Sequence, residues 1–198
     1  MAKKLINQTD SQGRKQGPWV ETEESDFIWK GPYKDGLREG LWKRYYKDGT
    51  LDEEGHYLNG ERQGLWKGYW WDGTPWKEVY YLDDKRHGLW KRYHTDGTLY
   101  EEGHYLDDKP HGLWKEYNSN GTLGSEGHYL NGQKHGLWKD YYSDGTLWEE
   151  GNYLNGELHG LWKRYHEDGT LMSCILYNMD KVLSTSPLLF LLPWLNLL

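Results

Sequence analysis

A phrase of 24 residues, GLWKRYYKDGTLDEEGHYLNGERQ, begins at Gly40 and returns at Gly64, Gly88, Gly112, Gly136 and Gly160. A worn copy begins at Gly17. Self-similarity at a fixed period of this size marks a repeat architecture, in which each copy is one small supersecondary unit stacked on its neighbours. Within the copy at Gly40, the stretches 41–46 and 51–57 are rich in aromatic and long side chains, as strands are. Lys47-Asp48-Gly49 and Leu58-Asn59-Gly60 separate them with turn chemistry. Glycine recurs too often for a helix, where each costs about 1 kcal/mol against alanine. Two strands and two turns per copy predict an all-β fold, an elongated antiparallel β-hairpin repeat array in the form of an open twisted sheet.

The register can be worked out on paper. If both turns are three-residue loops closed by a left-handed glycine, Tyr45 faces Leu51, Lys43 faces Glu53 and Leu41 faces Gly55. Across the second turn Tyr57 faces Glu61, Glu53 faces Leu65 and Leu51 faces Lys67. Every copy then stays in phase, whereas a two-residue second turn would flip the next strand. This register gathers Leu41, Lys43, Tyr45, Leu51, Glu53, Gly55 and Tyr57 on one strictly repeated face, which is expected to pack. The other face carries Trp42, Trp66, Trp90, Trp114, Trp138 and Trp162, together with variable residues such as Arg44, Tyr46, Asp52, Glu54 and His56. The candidate partner-binding surface is that second face: the six tryptophans with Arg44, Tyr46, Trp70, His94, Tyr142 and His166.

Apolar area comes mainly from rings, 13 Trp and 17 Tyr against 2 Phe, and Val and Ile are scarce. That composition suits hairpins touching only their neighbours better than a compact core. A net charge of −7 without a basic cluster argues against nucleic acid or anionic lipid as a partner. The single cysteine, Cys174, excludes an internal disulfide and is compatible with a reducing compartment. The amino-terminal stretch lacks the apolar core of a secretory signal, so a cytoplasmic location is expected.

Three segments follow. Residues 1–16 are a polar arm, expected to be loose. Residues 17–180 hold about seven copies; the first is acidic and atypical, as an end cap would be. The copy at Gly64 departs most, with Trp70, Trp71 and Trp76 crowding it, Pro75 at a turn exit and Val79 in place of the strand glycine. Residues 181–198 form an apolar tail whose last seventeen residues carry no charge. It reads as a cap over the last strand edge, as a membrane-associating segment or as a piece outside the repeat design.

The residues that could carry chemistry do not converge. His87, His111, His135 and His159 form one column and His56, His104 and His128 another. Columns spaced by whole repeats cannot supply the three or four ligands of a metal site. Cys174 has no His and acid placed beside it. Paired acids such as Glu53-Glu54 point to opposite faces of a strand. No cofactor, metal or small-molecule substrate is expected, and the chain reads as non-enzymatic.

The phrase NGxxHGLWKxYYxDGTLxEEGxY resembles the MORN repeat, in the shorter variant found in bacterial YwqK-type antitoxin-like proteins. Gly88, Trp90, Tyr93, Gly97 and Tyr105, with their counterparts, match its scaffold positions. The resemblance brings no catalytic residues. It implies a binding role: a scaffold holding a protein partner, a membrane-associated module, or an antitoxin neutralising a basic toxin, which the acidic surface suits. Choline or carbohydrate binding on aromatic faces is a further alternative.

Overall fold

The computed structural model describes residues 6–22 and 27–186. Among these residues there is no helix, and seventeen strands form. The all-β antiparallel hairpin array expected from the repeat is the observed fold. The chain divides into two units, residues 1–99 with 105–108 and residues 100–104 with 109–198.

In the first unit the strands are β1 (Gln8–Thr9), β2 (Lys15–Thr22), β3 (Phe27–Lys34), β4 (Leu37–Arg38), β5 (Gly40–Tyr46), β6 (Leu51–Leu58), β7 (Glu61–Tyr69), β8 (Pro75–Leu82) and β9 (Lys85–Tyr93). Each long strand pairs antiparallel with the next, and β4 is a short addition to β3. Residues 8–9, in the stretch expected to be loose, pair with residues 15–16. β10 (Leu99–Leu106) is shared between the units. The second unit continues with β11 (Lys109–Tyr117), β12 (Leu123–Leu130), β13 (Gln133–Tyr141), β14 (Leu147–Leu154), β15 (Glu157–Tyr165), β16 (Leu171–Asn178) and β17 (Lys181–Ser186). The expected tail therefore begins as a strand, and its residues 187–198 lie outside the described residues.

The first turn of each copy is the three-residue loop. Tyr46 N–H donates to the Thr50 carbonyl at 2.9 Å, Gly49 N–H donates to the Tyr46 carbonyl, and Thr50 N–H donates to Asp48 Oδ1. The same pattern closes the loops at Asp96, Asn120, Asp144 and Asp168. The second turn is not a three-residue loop. Leu58 faces Glu61 directly, and Asn59 and Gly60 both take positive φ, 52° and 89°. That is the two-residue turn whose twist matches the strands it joins, and Asn-Gly is its favoured sequence.

Two irregularities keep the copies in phase despite the shorter turn. Tyr45 faces Leu51 but Arg44 faces Glu53, which leaves Asp52 as a bulged residue. His56 faces Gln63 but Glu54 faces Lys67, and the slack is taken up around Gly64 at φ +67°. As a result Lys43 faces Glu54, not Glu53, and Trp42, not Leu41, faces Gly55. The expected packing face mixes two real ones. Leu41, Lys43, Tyr45, Glu54 and His56 share one face; Trp42, Arg44, Glu53, Gly55 and Tyr57 share the other.

Burial decides which face is the core, and it reverses the expectation. Trp42, Trp66, Trp114, Trp138 and Trp162 are all buried, with Trp42 at 0% exposure. Leu41, Leu113, Leu137 and Leu161 are each about two-fifths exposed. The tryptophans are the core and not an open surface.

The packing has a simple rule. Five of the six buried indoles each lie over a glycine of a neighbouring strand, where a Cβ would overlap the ring: Trp42 over Gly31, Trp66 over Gly55, Trp114 over Gly103, Trp138 over Gly127, Trp162 over Gly151. In four of the five the indole N–H then donates to the next carbonyl along, as in Trp66 Nε1 to His56 O at 3.2 Å and Trp138 Nε1 to His128 O at 3.1 Å, whereas Trp114 Nε1 donates to Glu101 Oε1 at 2.9 Å. Tyrosines fill the spaces edge-on. Tyr57 stands 6.1 Å from Trp42 and 5.0 Å from Trp66, and Tyr129 stands 5.2 Å from Trp138. Basic side chains cover the ladder, Arg38 4.3 Å above Trp42 and Lys134 4.0 Å above Trp138. T-shaped ring pairs and cation–π contacts each add about 0.5–1.5 kcal/mol.

The copy with Val79 shows what the glycine does. Val79 is 1% exposed and sits opposite Trp90. With a side chain in its seat, Trp90 is only half-buried and its Nε1 has no hydrogen-bond partner.

Candidate functional site

The variable residues of the expected binding surface separate from the tryptophans. They gather at the Asp-Gly-Thr turn end of the tryptophan face in each unit. In the first unit Tyr46 packs 5.2 Å from Phe27, and Arg44 lies 4.7 Å above the same ring. Arg44 also pairs with the buried carboxylates of Asp52 and Glu53, and Lys77 Nζ reaches Glu53 at 2.6 Å. Trp70 packs 5.9 Å from Trp76, and Trp71, at the loop tip, is 77% exposed. His94 holds the equivalent place before the next loop.

In the second unit Tyr142 packs 6.5 Å from Trp148 and donates its hydroxyl to the Tyr165 carbonyl. His166, exposed, precedes the last such loop. A recess of about 330 Å³ opens among Tyr100, Glu116, Asn118, Gly124, Asp140 and Trp148. It opens because Gly124 stands where neighbouring copies carry Tyr100 and Trp148.

The charges here differ from those of the first unit. Asp140 faces Glu149 directly across the sheet, and Ser125 faces both Glu116 and Asp140. Like charges placed opposite on neighbouring strands are destabilising. Burial pushes the Asp140 carboxyl up from its ordinary value; nearby Lys134 opposes this, and Glu149 and Glu116 add to it. Glu149 pairs on its other side with Arg164.

Of the residues expected on the partner-binding surface, Arg44, Tyr46, Trp70, His94, Tyr142 and His166 lie at this turn end, and Trp76, Tyr100, Trp148, Asp140 and Glu149, which were not expected there, lie beside them. The unexpected aromatics occupy the bulged position of Asp52, which varies from copy to copy in the same way.

The opposite face is regular. Lys43 Nζ pairs with Glu54 at 2.7 Å, and the Tyr69 hydroxyl donates to the same carboxylate at 2.9 Å. Tyr117, Tyr141 and Tyr165 repeat this bond to Glu102, Glu126 and Glu150. The Lys43 bond holds the Glu54 carboxyl below its ordinary value. Burial, with the carboxylate bond adding to it, pushes the phenols of Tyr69, Tyr117, Tyr141 and Tyr165 up to about 12. Among the described residues no group of three or more His, Cys, Asp or Glu is placed to hold a metal ion, and Cys174 is buried.

The repeat pattern is matched by the profile of the MORN repeat variant at residues 38–59, 86–107, 110–131, 134–155 and 158–179, more than half the chain. The chain belongs to the MORN repeat variant family. The stretch left unmatched between the first two segments is the MORN copy that contains Val79 and the crowded tryptophans. MORN repeats are in general non-catalytic modules that bind proteins or membranes. Among the described residues no helix is long and apolar enough to cross a membrane.

No curated protein matches the chain. Solved structures similar to part of it include TarM, at 16% identity over 48% of this chain and 19% of that one, with a TM-score of 0.33. A second is a mutant of S. aureus TarM in complex with Fondaparinux, alpha-GlcNAc-glycerol and UDP, at 12% identity over 60% and 21%, with a TM-score of 0.32. The chain spans about a fifth of the length of these structures.

Proposed function

We propose that this MORN repeat protein is a non-catalytic scaffold that holds a protein partner along the turn-end belt of its tryptophan face. One observation carries the reading. Across six copies the position of Tyr46 holds Tyr, Trp, His or Asn and that of Asp52 holds Asp, Trp, Tyr, Gly or Met, while the tryptophan and tyrosine around them repeat. A position freed from the repeat rule, rich in rings and half-exposed, suits contact with a partner better than packing. The test compares Tyr142→Ala and Trp148→Ala with Leu137→Glu in a pull-down from the native cell. The partner is expected to be lost with the first two and kept with the third; loss with Leu137→Glu alone would move the site to the other face.

A basic partner, as in the antitoxin reading, is favoured by one feature of the second unit. Glu116, Asp140 and Glu149 stand in a row where the first unit has Arg44, Glu53 and Lys77 in pairs. A guanidinium or ammonium group from a partner would complete that row. Binding to this unit should then weaken steeply with salt and with Asp140→Asn.

A further inference from the structure

We propose that the leucine face of the second unit binds a free acid with an apolar tail, a straight-chain carboxylate. A groove of about 560 Å³ opens over β12, with Leu113 on β11 and Leu137 on β13 as its walls and Leu130 between them. These leucines are 43%, 46% and 43% exposed. Neighbouring strands lie about 4.8 Å apart, so the walls stand roughly 10 Å from each other. That width takes one alkyl chain and excludes a helix, which is about 10–12 Å across. A peptide laid there would meet backbone already paired within the sheet, and its own amides would lie unbonded over leucine. An alkyl chain has no such groups to satisfy. His111, His128 and His135 line one end of the groove and Lys139 the other. From His135 to Lys139 the strand runs about 13 Å, the length of roughly ten extended carbons.

The lysine end selects the head group. Lys115 and Lys139 face Glu126 from its two sides. Among the described residues neither lysine is bonded to a carboxylate. Glu126 takes a bond from the Tyr141 hydroxyl at 3.0 Å. Glu150, on the far side of Lys139, is taken by Lys163 at 3.3 Å. Two ammonium groups therefore stand against the one carboxylate of Glu126, and a ligand carboxylate would balance the second. The first unit supplies the contrast. Its groove of about 610 Å³ lies between Leu41 and Leu65, with Gln63 in the place of His135. There Lys43 pairs with Glu54 at 2.7 Å and Lys67 with Glu78 at 3.3 Å. The net charge of −7 opposes an anion at long range, but salt screens charges more than about 8 Å away, so contact with Lys139 decides.

Leucine-methyl NMR of the full chain, titrated with monomeric sodium decanoate, tests this. The methyls of Leu113, Leu130 and Leu137 are expected to shift along one saturating curve, while those of Leu41 and Leu65 stay in place. Lys139→Gln should weaken binding roughly threefold or more, the upper range for an exposed ion pair, and Lys43→Gln should leave it unchanged. Acetate should shift none of these methyls, and decyltrimethylammonium should bind more weakly than decanoate. No saturating shift with decanoate would overturn the proposal. Equal shifts at Leu41 and Leu65, or equally tight binding of decyltrimethylammonium, would show that the unpaired lysines select nothing and overturn it as well. Binding to phosphatidylglycerol vesicles without binding to monomeric decanoate would make a membrane surface the partner and contradict a free acid.

Discussion

The indole of Trp66 lies over Gly55 so closely that a methyl group on that α-carbon would overlap the ring. Trp42, Trp114, Trp138 and Trp162 obey the same relationship, and it explains why one strand glycine recurs in the copies that pack against them. Gly127→Ala is expected to destabilise the second unit by about 1–3 kcal/mol, the usual cost of overfilling a packed site. Urea unfolding of the variant against the parent chain measures it. An unchanged midpoint would mean that Trp138 does not rest on Gly127.

Trp90 supplies the contrast within one chain. Its seat is filled by Val79, and its indole N–H is unbonded. Trp66→Ala is expected to cost about 3–5 kcal/mol, as loss of a large core ring does. Trp90→Ala should cost less than half as much in the same unfolding measurement. Equal costs would show that Val79 leaves Trp90 as well packed as the others.

The Asn-Gly turns carry a local strain that can be tested alone. Asn131 sits at φ 53°, where an L-residue with a simple Cβ pays about 1–2 kcal/mol and asparagine less. Asn131→Ala should lower stability by about 1 kcal/mol, and Asn131→Gly should not lower it. Thermal melts of the two variants distinguish them. A loss with glycine as large as with alanine would point to a side-chain bond of Asn131 in place of backbone strain.

Alkaline pH should unfold the array over a defined window. The phenols of Tyr69, Tyr117, Tyr141 and Tyr165 ionise in the folded chain at about 12, against an ordinary value of 10.0. The folded state therefore binds these protons more tightly than the unfolded state. Their contribution is whole below about 10 and is lost as pH rises to about 12. Stability followed by circular dichroism should fall across that interval, and Tyr→Phe changes at these four positions should flatten the fall. A profile unchanged by the four substitutions would remove the hydroxyl–carboxylate bonds as its cause.

Much of this fold was legible in the sequence, and the part that was not traces to one turn. The Asp-Gly-Thr loop was readable because its bonds are local: Asp48 caps Thr50, and Gly49 supplies the left-handed step. A three-residue loop at Asn59-Gly60 would keep the copies in phase by the turns alone. The structure keeps phase with a bulge at Asp52 and another near Gly64. A slip of one residue moves every side chain to the other face, so the packing face was inverted and Lys43 was matched to Glu53 in place of Glu54. Gly55 was legible as a gap that a neighbouring aromatic ring could cover, since a glycine inside a strand marks a close approach; that ring is Trp66, from the face expected to lie open. The proposed belt was half-legible, since variability picked out Tyr46, Trp70 and Tyr142. The aromatics at Trp76, Tyr100 and Trp148 join them only through the bulge.

Leu137 and Trp138 are adjacent in β13 and point to opposite faces, so one pair of substitutions tests which face is the core. Trp138 is 3% exposed and Leu137 46%. Urea unfolding of Trp138→Ala is expected to show a loss of about 3–5 kcal/mol, and Leu137→Ala a loss of about 1 kcal/mol or less. A larger loss for Leu137→Ala than for Trp138→Ala would contradict the tryptophan core and return the leucine face to the interior.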